Sequence, residues 1–415
     1  MTGRHVTMDA VRGFAVLGIL LMNIVGMGLP SYAYVSPAYY GGDSGANLVA
    51  WALAFVLVDG KMRALFTLLF GASLLLVAEA AEGRTPGPVA THYRRMFWLF
   101  LFGMAHAWLI WFGDILVTYA VAGSLAFLLR DQPPRRLLGI GLVILGLVMA
   151  WGLMGHFHFV QMRAMAEAPG AAPEVVETWR QALAELAPPA GAAQAEIAGY
   201  RDGFVGAFKA RSTMTIFFQT YLLPTVFIWE ALGVMCLGMA LFRWGFFTGG
   251  WNIRIYARLA AVLFPVGIVF GAPLAGKLWM ARWDPVTTLA TDALAVPIHL
   301  TMAIGYASGV IAIVKSGAVQ GAVARLAAAG RMAFTNYLGA SLITTTLFYG
   351  YGFGLFARLE RAELYLVVLA VWALQLAVSK PWLDRFTYGP FEWAWRSLAR
   401  WHRQPMRRAP AIATA

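Results

Sequence analysis

His106 and Asp114 stand eight residues apart in the stretch from Gly103 to Leu116, and no other pair in this chain is better suited to chemistry. A neutral imidazole is a general base near pH 7, and a neighbouring carboxylate can fix its orientation. Each also has a structural use. Asp114, in the tight turn Gly113-Asp114, can cap the helix that follows, and a histidine in a membrane helix can hydrogen-bond a neighbour. His106 and Asp114 together are the catalytic candidates.

Other polar side chains lie within long apolar runs, where each costs roughly 2 to 4 kcal/mol on insertion scales and needs a reason to be there. Glu230, in Phe227-Ile228-Trp229-Glu230-Ala231, and His299, in Val296-Pro297-Ile298-His299, are expected to face the interior of a bundle. Asn23 either donates to a substrate or holds an adjacent helix. Lys61 and Arg63, and Arg331 further on, carry charge that can bind phosphate. Basic residues at helix ends more often anchor the membrane interface, and anchoring is the expectation for these three. The segment from Gly389 to Arg396 reads as a helix start, with Pro390 early, Glu392 and Arg396 at pairing distance, and tryptophans suited to an interfacial anchor.

Several chemistries drop out. Cys236 is the single cysteine, so neither an intrachain disulfide nor a cysteine-based metal site can form. No P-loop, Rossmann fingerprint, metalloprotease helix or serine-hydrolase elbow is present. No metal and no tightly bound cofactor is expected.

The elements that must position these residues follow from composition. Of 415 residues 60% are hydrophobic and 13% charged, where soluble domains carry about a quarter charged residues. The apolar runs are apolar on every face, which points to an all-α, polytopic membrane helix bundle. The net charge of +12 would suggest nucleic acid in a soluble protein. Here the basic residues sit between the apolar runs, as the positive-inside rule asks of cytoplasmic loops, and nucleic acid is excluded as a partner. The basic tail from Arg396 to Arg408 suits anionic lipid.

About ten spans are predicted: 9–29, 62–80, 96–111, 115–129, 137–156, 215–242, 255–275, 290–314, 332–349 and 362–379. Arg4 and Arg12 put the N-terminus in the cytoplasm, and the basic residues after the last span put the C-terminus there too. The aromatic loop around Tyr32, Tyr34, Tyr39 and Tyr40 then faces outside. Residues 47–58 are too short to span and read as an interfacial or re-entrant helix. The whole of 1–415 is one transmembrane domain. Residues 157–211, rich in Ala, Pro, Glu and Gln and with a helix predicted over Pro173 to Leu186, form an extracytoplasmic insertion. Residues 381–415 form a cytoplasmic interfacial helix and basic tail. Glycine is scattered through the spans, as close helix packing favours.

The opening Asp9-Ala10-Val11-Arg12-Gly13-Phe14-Ala15, with Gly18-Ile19-Leu20 and Asn23, resembles that of the YeiB-like bacterial membrane proteins. So do Leu65 to Gly71, the His106 segment, Gly113 to Leu116 with Tyr119, Gly330-Arg331-Met332-Ala333 with Thr335-Asn336-Tyr337-Leu338, and Gly389 to Arg396. The resemblance covers nearly the whole chain and implies a multi-pass protein of the bacterial inner membrane whose C-terminal half is a domain of unknown function.

The family is grouped with transmembrane acyltransferases similar to those that acetylate sugars. That implies a cytoplasmic acyl-CoA donor and an envelope glycan, lipid or small-molecule acceptor outside, with Arg12 and Asn23 in the shared first-span pattern. Asn23, Arg12, Glu230, His299, Arg331 and Asn336 are therefore the substrate-binding candidates. One departure stands out. The lysosomal sugar acetyltransferases of the wider group carry a histidine after the first span, and Asn47 to Asp59 contains none, which leaves His106 as the substitute base. Two further readings compete: a secondary transporter using Glu230, His299 and His106 as proton carriers, and a scaffold whose 157–211 segment binds a partner.

Overall fold

The computed structural model describes residues 6–189 and 191–407, and over these the chain is helical. Arg4 and the end of the basic tail, Arg408 included, lie outside the described residues. In chain order the helices are α1 (Val6–Gly28), α2 (Gly45–Leu57), α3 (Lys61–Ala81), α4 (Pro88–Leu109), α5 (Leu116–Leu128), α6 (Pro134–Ala166), α7 (Pro173–Leu186) and α8 (Ala192–Arg201). Next come α9 (Gly203–Phe217), α10 (Ile228–Arg243), α11 (Ile253–Met280), α12 (Pro285–Ser316), α13 (Gln320–Arg331), α14 (Ala333–Phe348), α15 (Arg361–Arg385) and α16 (Pro390–Arg400).

Seven helical stretches are long and apolar enough to cross a membrane: Val6–Gly28, Gly45–Ala81, Pro134–Ala166, Gly203–Arg243, Ile253–Met280, Pro285–Ser316 and Arg361–Arg385. The ten expected spans all fall on helices, yet three do not meet that standard. α5 and α14 have 13 and 16 residues, roughly 20 and 24 Å at 1.5 Å per residue, shorter than a hydrocarbon core of about 30 Å. α4 begins with His92, Arg94 and Arg95 in its first two turns. The protein is a multi-pass membrane protein with these shorter helices packed among the longer ones. Exposed Leu147 and Trp151 on α6, Val269 and Phe270 on α11, and Leu366 and Leu369 on α15 form an apolar outer surface suited to lipid.

Glycine sets how closely the helices approach. A side chain on Gly13 would meet the Leu326 carbonyl, and one on Gly330 the Asp9 carbonyl, so α1 and α13 touch backbone to backbone. Gly71 and Gly238 do the same between α3 and α10. Lipid offers no hydrophobic gain between helices, and dispersion at such close crossings supplies the attraction instead.

Two parts depart from expectation. The helix predicted over 215–242 starts at Gly203 and contains ten π-helical residues, Phe218–Phe227, around Pro224. Pro224 lacks the amide a regular helix needs, and the widened turns accommodate it. The expected Glu392–Arg396 pair is also replaced. The Glu392 carboxylate instead accepts the Phe334 and Thr335 amides at 2.7 and 3.0 Å and the Thr335 hydroxyl at 2.5 Å, while Arg396 lies over the Tyr388 ring. Met332, at the start of α14, offers no capping side chain, so a carboxylate from α16 satisfies its free amides. Thr335 Oγ1 in turn accepts the Phe391 amide at 3.0 Å, and the two helix starts cap one another. α16 is thereby locked into the bundle.

The predicted helix over Pro173 to Leu186 is α7, with those bounds. Together with α8 it forms a cap over one end of the bundle. Glu196 accepts the Ser31 amide and hydroxyl at 3.0 and 3.2 Å. Tyr32 donates its hydroxyl to the Leu186 carbonyl at 3.3 Å, and Arg201 donates to the Phe356 carbonyl at 2.9 and 2.6 Å. α6 runs ten residues past His156, and its Arg163 pairs at 2.5 Å with Asp284 at the start of α12.

Candidate functional site

Beneath the cap lies a mainly apolar cavity of about 620 Å³. Its walls come from the C-terminal half of α1, the loop at 31–35, the starts of α3, α5 and α12, the π-helical stretch, and Ala184, Leu186, Ala187 and Pro188 at the end of α7. Such a concave apolar space with a few converging polar groups is the usual form of a small-molecule site.

The polar groups can be built up one by one. Gly60 turns the chain from α2 into α3 at φ 71°, with the His299 ring packed where a side chain would project. Next in the chain, Lys61 is 1% exposed and donates to the Phe55 carbonyl at 2.5 Å. Arg63 reaches into the cavity wall, 3.1 Å from both oxygens of Glu230 and over the Phe227 ring. Neither basic residue anchors the interface, contrary to expectation. One turn further, Thr67 and Tyr119 share a hydrogen bond of 2.7 Å. Tyr34 donates its hydroxyl to Asp59 at 2.5 Å, and Asp292 opens onto the cavity from α12.

His106 and Asp114 meet as the sequence predicts. Nδ1 of His106 is 2.8 Å from Asp114 Oδ1, with the two side chains 1% and 2% exposed. The other oxygen of Asp114 accepts the Val117 amide at 2.8 Å, so the same aspartate also caps α5. His106 Nε2 is buried without a hydrogen-bond partner among the described residues. Asp114 touches the cavity, whereas His106 stands one side chain behind it, its ring 5.2 Å from that of the lining residue Tyr337. Arg211, fully buried, fixes this corner by donating to the Trp108 and Ile110 carbonyls at 2.9 and 3.0 Å at the end of α4. A cation suits those unpaired carbonyls.

Of the eight candidates, Asp114, Asn23 and Glu230 line the cavity and His106 backs it. Four lie elsewhere. Arg12 pairs with Asp9 at 3.1 Å and donates to Ser73. His299 packs on Gly60 and makes no pair with Glu230. Asn336 is buried and donates to the Ala329 carbonyl and the Ser379 hydroxyl. Arg331 ends α13, outside the cavity lining. Sequence reasoning passed over Asp292 and did not place Arg63, Tyr34 or Tyr119 in the site. Asp292 had a signal, because an ionisable residue two positions into an apolar run is costly unless it faces a cavity. The other three could be placed only by knowing which helices adjoin.

Just outside the membrane helices, charge follows burial. Burial, and then the charge of Asp284, raises the Tyr32 hydroxyl to about 12. Burial lifts the Glu196 carboxyl to about 7 against the pull of the Ser31 bonds. Burial also raises Asp284, but the bonds from Arg163 and Thr287 outweigh it and hold that carboxyl below its ordinary value.

Known proteins give the chain its relatives. "Uncharacterized protein YeiB" of Escherichia coli strain K12 is 33% identical over 405 residues, covering 95% of this chain and 96% of that protein. The chain belongs to the YeiB-like family. "Uncharacterized protein YxaH" of Bacillus subtilis strain 168 is 28% identical over 411 residues, 96% of this chain and 95% of the relative. A family described as "Protein of unknown function (DUF418)" matches residues 241–402. No solved structure matches. The matched segment of this YeiB-like chain supplies Asp292 and Tyr337 to the cavity and contains the whole of α13 to α16, while Asn23, Arg63, Asp114 and Glu230 precede it.

Proposed function

We propose that this protein is a membrane enzyme that moves an acyl group, such as acetyl, from an acyl-CoA to a hydroxyl or amine acceptor held in the cavity. In this reading it sits in the bacterial inner membrane, crossing it about ten times with both termini cytoplasmic and the cap outside. The observation that carries the reading is the His106–Asp114 pair, Asp114 in the cavity wall and His106 directly behind it, with Nδ1 held by a carboxylate and Nε2 unpaired among the described residues. That arrangement leaves Nε2 as the basic atom once Nδ1–H donates to Asp114. His106 Nε2 takes the acceptor's proton as its oxygen or nitrogen attacks the thioester carbonyl. The carbon–sulfur bond then breaks, and the departing thiolate receives that proton. Tyr337 or Asp114 has to give way for the acceptor to reach the imidazole.

The charge of the cavity supports an acceptor of this class. Its lining includes one guanidinium, Arg63, and three carboxylates, Asp114, Glu230 and Asp292, which favour a hydroxyl or amine over an anion. An envelope glycan, a lipid headgroup or a small metabolite offers such a group. Purified protein incubated with labelled acetyl-CoA and a panel of hydroxyl and amine acceptors should transfer label, with His106→Ala and Asp114→Asn each losing at least 100-fold. Unchanged transfer by His106→Ala would overturn the reading.

A second reading, transport of a small molecule, is favoured by the π-helical break beside Arg63, Glu230 and Asp292, since interrupted helices in transporters line substrate sites. Counterflow of a cavity-binding solute in proteoliposomes, without label transfer, would select it.

A further inference from the structure

At the opposite end of α1 from the cavity, cations gather without matching carboxylates. Arg12 of α1, Arg95 of α4, and Arg396 and Arg400 of α16 come from three helices. Burial, and then the charges of Arg396, Arg400 and Arg12, all act against the Arg95 guanidinium. Among the described residues Arg12 has an ion pair, with Asp9, while Arg95, Arg396 and Arg400 have none. Glu392 is near enough to act on Arg396, but its oxygens are taken up by the α14 amides and the Thr335 hydroxyl.

These arginines are held in place. Arg95 lies over the Trp395 ring at 4.2 Å and Arg396 over Tyr388 at 4.8 Å. Trp395 is itself fixed by its indole N–H, which donates to the Arg95 carbonyl at 2.9 Å. Stacking fixes the guanidinium faces of Arg95 and Arg396 and leaves their N–H edges turned away from the rings, while Arg12 donates to Asp9 and Ser73 and Arg400 to Gln404 at 2.6 Å. Four like charges brought together in a partly buried place repel one another, and an anion with several acceptor oxygens is the partner that relieves them.

We propose that Arg12, Arg95, Arg396 and Arg400 form a binding site for a phosphate ester, carried either by an anionic phospholipid or by a soluble diphosphate. Arg12 precedes Asn23 by eleven residues, roughly 16 Å along α1, so this site is separate from the cavity. It stands whether or not acyl transfer does.

The test uses the full-length protein with two probes. One is phosphatidylglycerol, titrated into phosphatidylcholine nanodiscs; the other is inorganic pyrophosphate, added to protein in nanodiscs of phosphatidylcholine alone. The readout is the midpoint of thermal unfolding. One probe should stabilise saturably, phosphatidylglycerol identifying a lipid headgroup and pyrophosphate a soluble ligand. The concentration for half effect should rise at least tenfold in Arg95→Gln with Arg396→Gln, and stay within twofold in the control Arg254→Gln with Arg258→Gln, basic residues at the start of α11. Arg400→Gln changes an exposed side chain and should give about a threefold rise, which keeps the test open if the double variant fails to fold. Absence of saturable stabilisation by either probe, or equal losses in cluster and control variants, would overturn the proposal.

Discussion

Replacing Glu392 by alanine tests whether one carboxylate from α16 holds the start of α14. The substitution strips the Phe334 and Thr335 amides and the Thr335 hydroxyl of their common acceptor. A buried donor left unmade costs about 1–3 kcal/mol, and a negative charge at a helix N-terminus contributes about 0.3–2 kcal/mol. Against this stands the cost of burying the carboxylate, which raises the Glu392 carboxyl above its usual range. The balance is a loss of about 3–5 kcal/mol for Glu392→Ala. Glu392→Gln keeps one acceptor oxygen, and its amide can donate to the Thr335 hydroxyl, so a loss of about 1–2 kcal/mol is expected. Chemical unfolding of the purified protein in detergent measures both, and hydrogen exchange at Phe334 and Thr335 should quicken in the alanine variant. An alanine variant within about 0.5 kcal/mol of the wild type would refute the reasoning.

Three other outcomes follow from the geometry. The Glu196 carboxyl sits near 7 in the fold against about 4.3 in an unfolded chain; because the folded state holds this proton more tightly, docking of the cap weakens as pH rises from about 4.5 to about 7 and levels off above that. Proteolysis of the cap across this range should show the trend in wild type and lose it in Glu196→Gln. Gly330→Val places side-chain atoms against the Asp9 carbonyl and should force α13 off α1, costing several kcal/mol, whereas Gly321→Ala, which has open space, should be neutral or slightly stabilising in the same unfolding measurement. Arg63→Ala strands Glu230 and should cost about 1–3 kcal/mol, given that the pair is partly exposed, while the double change of Arg63→Ala with Glu230→Ala should recover part of that loss; additive losses would show the pair is not coupled.

How much of this was legible in the sequence depended on the reach of the interaction. Helices announced themselves through runs apolar on every face, and α7 came out with its bounds because Pro173 marks a first turn and the apolar spacing fails after Leu186. The His106–Asp114 contact was readable because only eight residues and one tight turn separate the two. Glu392 misled for the complementary reason: Arg396 lies at the local pairing distance, but unsatisfied amides 57 and 58 residues away were the stronger demand. Arg63 resembled an interface anchor until α10 brought Glu230 alongside. The π-helical stretch left Pro224 as its only mark, and proline alone does not tell a kink from a widened turn.

In the proposed topology, the length of α6 sets the cavity against the membrane. At 33 residues it measures roughly 50 Å, against a hydrocarbon core of about 30 Å. With Arg135 and Arg136 at one membrane surface, the opposite surface falls near His156, whose ring meets the Val286 carbonyl at 2.8 Å. On the membrane placement proposed above, the start of α12 lies at headgroup height, and Asp292, six residues beyond Val286, lies about 9 Å below it. On the same placement, a molecule reaching Asp292 passes about a third of the way into the hydrocarbon core. An amphipath could leave its tail among the acyl chains of one leaflet while its polar end is handled under the cap.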